Sequence, residues 1–327
     1  MVTRAASVVL DQVTASVVAA ARRPPYLYQV GVADGRAAFA EIQSPAQTPA
    51  DIDHRTVLVQ SGYGPIVTHL VRCTDAPATT SAVLYAHGGG WTMGGYETHA
   101  RFAQQLARGT GAAVVVPDYA LAPEHRYPVA VEQFGALLGW LDSGADALLD
   151  IDRVVLVGDC AGATILASLM TQRPDLLPAL PISALVLLYP ISEPAAGDQS
   201  MTWFAEGYGL RLADVRHLWR QYAPRPATRA QAACDALNHD PVAPASLPPT
   251  LVITAEADVT RDRAERFADR LRVAGAPVTA VRYLGTVHDF AVLDSLRDSP
   301  SARGATAQAL SFLSTALHPD PTGRGGS

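Results

Sequence analysis

The chain of 327 residues contains no lysine, and all 25 of its basic side chains are arginine. That absence excludes Schiff-base catalysis and the phosphate-gripping lysine of nucleotide-binding loops. Cysteine is scarce as well. Cys73, Cys160 and Cys234 lie far apart and are odd in number, and no C-x-x-C pair marks a zinc site or a redox centre. No disulfide framework is expected, and a reduced, cytoplasmic setting fits the composition. No apolar run is long enough to cross a bilayer, so no membrane partner is expected. The formal net charge is −6 and no basic tract could follow a phosphate backbone, which argues against a nucleic-acid partner. Internal repeats are missing too.

The length fits one α/β core domain carrying a lid or insertion. The early stretch ASVVLDQVTASVVAAARR has the apolar bias of a targeting segment, but Asp11 and Gln12 interrupt it and the arginines follow the apolar part. Val9, Leu10, Val13, Val17 and Ala21 recur at helical spacing and predict an amphipathic helix packed on the body. Beyond it, eight β-rich runs are expected at 55–60, 65–72, 81–87, 112–118, 153–159, 182–190, 249–256 and 277–284. Helical patterns fall at 98–109, 128–142, 161–173, 261–274 and 303–317. The alternation predicts a mainly parallel sheet covered on both faces. Residues 191–230 are aromatic and irregular and break this rhythm. The expected organisation is therefore an N-terminal cap segment (1–50), a core in two parts (51–190 and 231–318), a cap insertion (191–230) and a disordered tail (319–327).

The chemistry gathers around VVLVGDCAGATILASLM, residues 154–170. Gly158, Asp159, Cys160, Ala161 and Gly162 form a G-x-nucleophile-x-G elbow, in which a sharp strand-to-helix turn lifts the central side chain above the sheet. A thiol at a helix N-terminus is expected to have its pKa drawn below the free value of about 8.5. The plain alternative is a small buried cysteine. A second motif, HGGGW at 87–91, follows the third strand, and its glycines leave backbone N–H groups free to face a developing oxyanion. Gly89 and Gly90, with the N–H of Ala161, are the candidate donors. His87 is read as a brace for this loop rather than as a base.

These pieces resemble the hormone-sensitive lipase-like family of α/β-hydrolases, of the carboxylesterase type. The resemblance rests on HGGGWTMGGYETH, PDYALAPEHRYPVA, GDCAGA, LPPTLVITAEADVTRD and HDF, which run in the family's order through most of residues 55–318. It implies an α/β-hydrolase fold with an eight-stranded, mostly parallel sheet and a mostly helical cap. It also implies no cofactor, no metal, and ester hydrolysis by a nucleophile, an acid and a histidine in that chain order. Cys160 departs from the family's serine, and Ala163 stands where a further glycine is common.

On this pattern His288, in the loop after the eighth strand, is the base, and Asp258, just beyond the seventh strand, is the acid. Asp262 lies in a first helical turn and fits a role toward the helix dipole. Asp159 is given a local hydrogen-bonding role. Trp91, Trp203, Phe204 and Tyr208 are candidate substrate contacts, with the cap's own core as the alternative reading.

Three classes of function are open to such a sequence. The first is a Cys-His-Asp acyl hydrolase or acyltransferase working through an acyl-thioester, with release to water, transfer or lactone closure. The second is a lyase or dehydratase using His288 and the oxyanion hole without a covalent step. The third is a non-catalytic ligand-binding member of the fold. The expected partner is a small-molecule acyl substrate, free or carried as a thioester, and a homodimer is compatible with the sequence.

Overall fold

All eight predicted strands are present in the computed structural model, which describes residues 8–43, 48–76, 81–144, 151–194, 197–231 and 234–318. They are β1 (Ile52–Ser61), β2 (Gly64–Cys73), β3 (Ser81–Ala86), β4 (Ala113–Pro117), β5 (Arg153–Asp159), β6 (Ile182–Leu188), β7 (Thr250–Ala257) and β8 (Val278–Val287). One sheet contains them in the order β1-β2-β4-β3-β5-β6-β7-β8. Only β2 runs against its neighbours β1 and β4; the other pairs are parallel. Parallel strands need crossovers, and helices supply them.

The α-helices among the described residues are α1 (Gln12–Ala20) and α2 (Val32–Ile42) before the sheet, α3 (Tyr96–Thr110), α4 (Val129–Asp142), α5 (Cys160–Gln172), α6 (Ser200–Trp203), α7 (Leu212–Tyr222), α8 (Pro226–Arg229) and α9 (Arg261–Val273) between its strands, and α10 (Pro300–Leu317) after it. On the sheet, α3 packs with α10 and α4 packs with α5. Every residue of β3 and β4 is buried, which is why these strands read as continuous apolar runs rather than as alternating ones. The α3 helix stops where Gly111 takes the left-handed conformation, φ 69°, and its N–H caps the Ala107 carbonyl.

The expected N-terminal helix forms and packs on the body. Asp11 is its N-cap, accepting from the Thr14 N–H at 3.0 Å and from the Thr14 hydroxyl at 2.7 Å. Leu10, Val13 and Val17 of the predicted stripe pack against the core beside the buried Thr14 and Val18, whereas Val9 and Ala21 are exposed. The irregular stretch after β6 also carries more helix than its composition indicated, chiefly α7. His318 closes α10 with its Nε2 3.2 Å from the Thr110 carbonyl, and the expected tail (319–327) lies outside the described residues.

Two connections fix the chain's start to the loops above the sheet. Arg36 of α2 donates to the Thr92 carbonyl at 2.7 Å, to the Ala122 carbonyl at 3.1 Å and to both oxygens of Glu124. Tyr28 N–H donates to Asp214 of α7 at 3.0 Å. Arg36→Ala is expected to lower global stability by only about 1 kcal/mol, because the side chain is a third exposed. It should nevertheless speed proteolytic cleavage between residues 8 and 43 while the body from β1 onward stays intact, as read by mass spectrometry of timed digests.

Candidate active site

The elbow between β5 and α5 is built by contacts that leave no room for side chains. A Cβ on Gly162 would fall 2.0 Å from the Ala86 carbonyl oxygen at the end of β3. Helix α5 can therefore start hard against the sheet, and Cys160 at its first position takes φ 48°, a conformation rare for a side-chain-bearing residue. Asp159 joins this turn to the glycine loop: its Oδ1 accepts from the Gly88 N–H at 3.0 Å and from the Tyr85 hydroxyl at 2.7 Å. The loop presses close, since a Cβ on Gly88 would stand 3.1 Å from the Cys160 Cβ. Gly89 and Gly90 have φ of 102° and 59°, and among the described residues their N–H groups have no hydrogen-bond partner.

His87 braces this loop from behind. Its Nδ1 lies 2.8 Å from the Gly88 carbonyl, the Tyr119 hydroxyl donates to the His87 carbonyl at 3.0 Å, and the two rings stack at 4.3 Å. Full burial pushes the His87 imidazole down to about 3, with repulsion from His99 acting the same way, so it is neutral at physiological pH. Asp118 and Glu124 hold the neighbouring turns: Asp118 accepts from the Tyr96 N–H at 2.7 Å, and Glu124 pairs with Arg36.

His288, just past β8, is brought to Asp258, just past β7. Its Nδ1–H donates to Asp258 Oδ2 at 2.7 Å, while Asp258 Oδ1 accepts from the N–H and hydroxyl of Thr260 at 2.8 and 3.0 Å. Both side chains are almost wholly buried. Burial works to discharge the imidazole, but Asp258, Asp289 and Cys160 outweigh it and hold His288 well above the ordinary histidine range. The Nε2 atom makes no hydrogen bond, and it shares a space less than 4.8 Å across with Cys160 Sγ and a carboxylate oxygen of Asp289.

The thiol behaves differently from expectation. Burial pushes Cys160 above the ordinary cysteine value, and attraction from His288 opposes this only in part. The helix N-terminus does not prevail because Cys160 is 4% exposed and carboxyl groups of Asp289 and Asp159 lie near it. Asp262 lies in the first turn of α9, as expected of a dipole partner, and also ties α6 to this region: its Oδ2 accepts from the Ser200 N–H at 2.8 Å, and the Ser200 hydroxyl donates to the Val259 carbonyl at 3.1 Å.

The four aromatic candidates do not form one wall. Trp91 is buried against α7, stacked on Tyr222 at 4.5 Å and edge-on to Trp219 at 4.6 Å. Trp203, Phe204 and Tyr208 make a separate chain of contacts at 6.4 and 5.1 Å, beside the Arg261 guanidinium. Two neighbours of His288 were not expected from the sequence: Tyr189, whose ring is 5.0 Å from that of His288, and Asp289. The histidine-adjacent aspartate was visible in HDF, but its approach to Nε2 depends on a backbone φ of 61° that no spacing rule reveals.

Residues 83–292 match the family described as alpha/beta hydrolase fold, and the chain belongs to that family. An esterase, LipI, of Mycobacterium tuberculosis is 34% identical over 268 residues, covering 78% of this chain and 79% of that protein. An esterase of Gibberella moniliformis is 30% identical over 300 residues, covering 90% and 93%. The crystal structure of a thermostable esterase from Pseudomonas putida superposes with a TM-score of 0.88 at 28% identity, covering 97% of this chain and 100% of that one. Among the described residues, no helix is long and apolar enough to cross a membrane.

Asp159 supplies a test of the elbow's electrostatics. Burial raises its carboxyl to about 7, against hydrogen bonds from Tyr85 and Gly88 that lower it. In the unfolded chain an aspartate titrates near about 4, so the unfolded state loses this proton first as pH rises. The contribution of Asp159 to folding stability thus declines from about pH 4 to about pH 7 and is level above. Asp159→Asn removes this contribution. Between pH 5 and pH 8 the melting temperature of the wild type should fall relative to that of the variant, as read by calorimetry at both values.

Proposed function

We propose that this α/β-hydrolase is a carboxylesterase-like acyl hydrolase or acyltransferase in which Cys160 is the nucleophile, His288 the base and Asp258 the residue that orients it. The observation that carries this reading is the convergence of an elbow thiol and an unpartnered Nε2 on an imidazole whose Nδ1–H is held by Asp258. The esterase names of its relatives agree with the reaction class.

In the first half-reaction the Cys160 S–H proton passes to His288 Nε2 as Sγ bonds to the acyl carbonyl carbon. Because burial raises the thiol and the surrounding carboxylates raise the imidazole, the thiolate forms together with the imidazolium rather than standing alone. The carbonyl oxygen becomes an oxyanion facing the N–H groups of Gly89, Gly90 and Ala161. Collapse breaks the bond to the leaving group, which takes the proton from Nε2, and leaves an acyl-thioester on Cys160. In the second half-reaction Nε2 takes a proton from water, or from an acceptor hydroxyl, amine or thiol. The resulting nucleophile attacks the thioester, and Sγ leaves to recover the proton.

The same reading assigns residues 1–50 and 191–230 as a cap over the centre, with Trp203, Phe204 and Tyr208 as its substrate-facing aromatics and Trp91 as the link to the oxyanion loop. Substrates are small acyl esters or thioesters, the latter including acyl groups on a carrier. A thioester is readily captured by amines and thiols, and a water-poor cavity favours transfer or ring closure over release to water.

Incubation with an activated ester should add one acyl group to the peptide containing Cys160, sensitive to hydroxylamine and lost in Cys160→Ala; a peptide mass map checks this. Asp258→Asn should lower turnover by about 10³–10⁴-fold, whereas Asp262→Asn should change it little. Cys160→Ser should reduce acyl transfer by about a hundredfold, because oxygen sits at a different distance from Nε2 and the donors. Product ratios for both proteins on one activated ester, with and without an added amine, check this; a serine variant that hydrolyses as fast as the wild type transfers would defeat it.

A further inference from the structure

The acyl-transfer steps make no use of Asp289. Its Oδ1 is buried and without a hydrogen-bond partner, 3.4 Å from the equally unpartnered Nε2 of His288. The two lie within ion-pair distance but make no hydrogen bond, so both keep a lone pair or proton for a further partner. Their separation is that of neighbouring ligands on a tetrahedral zinc ion, about 3.4 Å when both bonds are about 2.0–2.2 Å long.

We propose that Cys160, His288 and Asp289 form a three-ligand site for a divalent cation of the Zn²⁺ class, whose binding silences the thiol. The Sγ, imidazole and carboxylate ligand atoms all lie within 4.8 Å of one another, so the sulfur closes on the ion by about 1 Å to reach its bond length. Asp258 already does for His288 what an outer carboxylate does for a metal-bound histidine: it holds Nδ1–H and turns the Nε2 lone pair inward. A thiolate with an imidazole selects Zn²⁺, Co²⁺ or Cd²⁺ over Mg²⁺ and Ca²⁺, which demand more oxygen ligands. Cys160 and His288 are almost fully buried, but the Asp289 side chain keeps 29% of its surface exposed, giving the ion an entry side and an open fourth position.

Binding forms M–S, M–N and M–O bonds, and the thiol proton, with any proton on Nε2, leaves to buffer; no electron is transferred. The metal occupies the atoms that would attack the substrate and carry its proton, so occupancy and acyl transfer exclude each other. The site rests on ligand geometry alone and holds whether or not Cys160 is the acylated residue.

The test uses the full chain, freed of any affinity tag and stripped with a chelator, and titrates Co²⁺ as a spectroscopic stand-in for Zn²⁺. One equivalent should produce a near-ultraviolet thiolate-to-cobalt charge-transfer band and intense visible bands of tetrahedral Co²⁺, both erased by Zn²⁺. Cys160→Ala should lose the charge-transfer band, and Cys73→Ala and Cys234→Ala should keep it. Asp289→Asn and Asp289→Gly should each weaken binding at least about tenfold; glycine suits the φ of 61° and guards against misfolding. Zn²⁺ should also shield Cys160 from alkylation in a peptide mass map. Absence of the band, its survival in Cys160→Ala, or unchanged affinity in both Asp289 variants would overturn the site.

Discussion

The close approach of Gly162 to the Ala86 carbonyl is the contact on which the active centre stands. Any side chain there would push α5 away from the end of β3, since even a methyl carbon would lie 2.0 Å from that oxygen. The displacement would be shared by Cys160, two residues earlier, and by Asp159, which holds the Gly88 N–H. The position of the Cys160 thiol and that of the glycine loop are thus set by one packing decision at the carboxyl end of two adjacent parallel strands, paired through Ala86 and Gly158.

Around that contact lies an unusual density of buried acid and imidazole. Asp159, His87 and His99 form one cluster, in which Asp159 holds the Gly88 N–H and His99 lies beside both Asp159 and His87; Asp258, His288 and Asp289 form a second beside the Cys160 thiol. Burial drives the first cluster toward neutrality: Asp159 is raised to about 7, His87 is lowered to about 3 and His99 to about 4. In the second cluster His288 goes the other way: burial works against its charge, but Asp258, Asp289 and Cys160 outweigh it and raise its affinity for a proton. Among these buried imidazoles the neighbouring charges decide which one can take up a proton.

The segments before β1 and after β6 are joined to each other and to both functional loops. Arg211 at the start of α7 donates to the Ala21 carbonyl at 2.8 Å and lies 3.6 Å over the Tyr26 ring. Trp219 and Tyr222 of α7 grip Trp91 in the oxyanion loop, and Ser200 of α6 is fastened to the loop that carries Asp258. These contacts tie the two segments to the glycine loop through Trp91 and to the Asp258 loop through Ser200.

Strand and helix identity was legible because it depends on local periodicity, and the core strands are runs of Val, Leu and Ala buried on both faces. The elbow and the glycine loop were legible for a related reason: backbone conformations that exclude side chains leave glycine at fixed spacing. The sequence alone thus determined the α/β-hydrolase class and the eight strands, and it singled out Cys160 and His288, which the fold brings together. It carried the apolar stripe of α1 too far, to the exposed Val9 and Ala21, and it misjudged the direction of the thiol's shift, because local dipole reasoning does not include burial. Tertiary structure alone decided the proximity of Asp289 and Tyr189 to His288 and the split of the aromatics between two clusters. These depend on which loops meet in space, and such distances have no period in the chain.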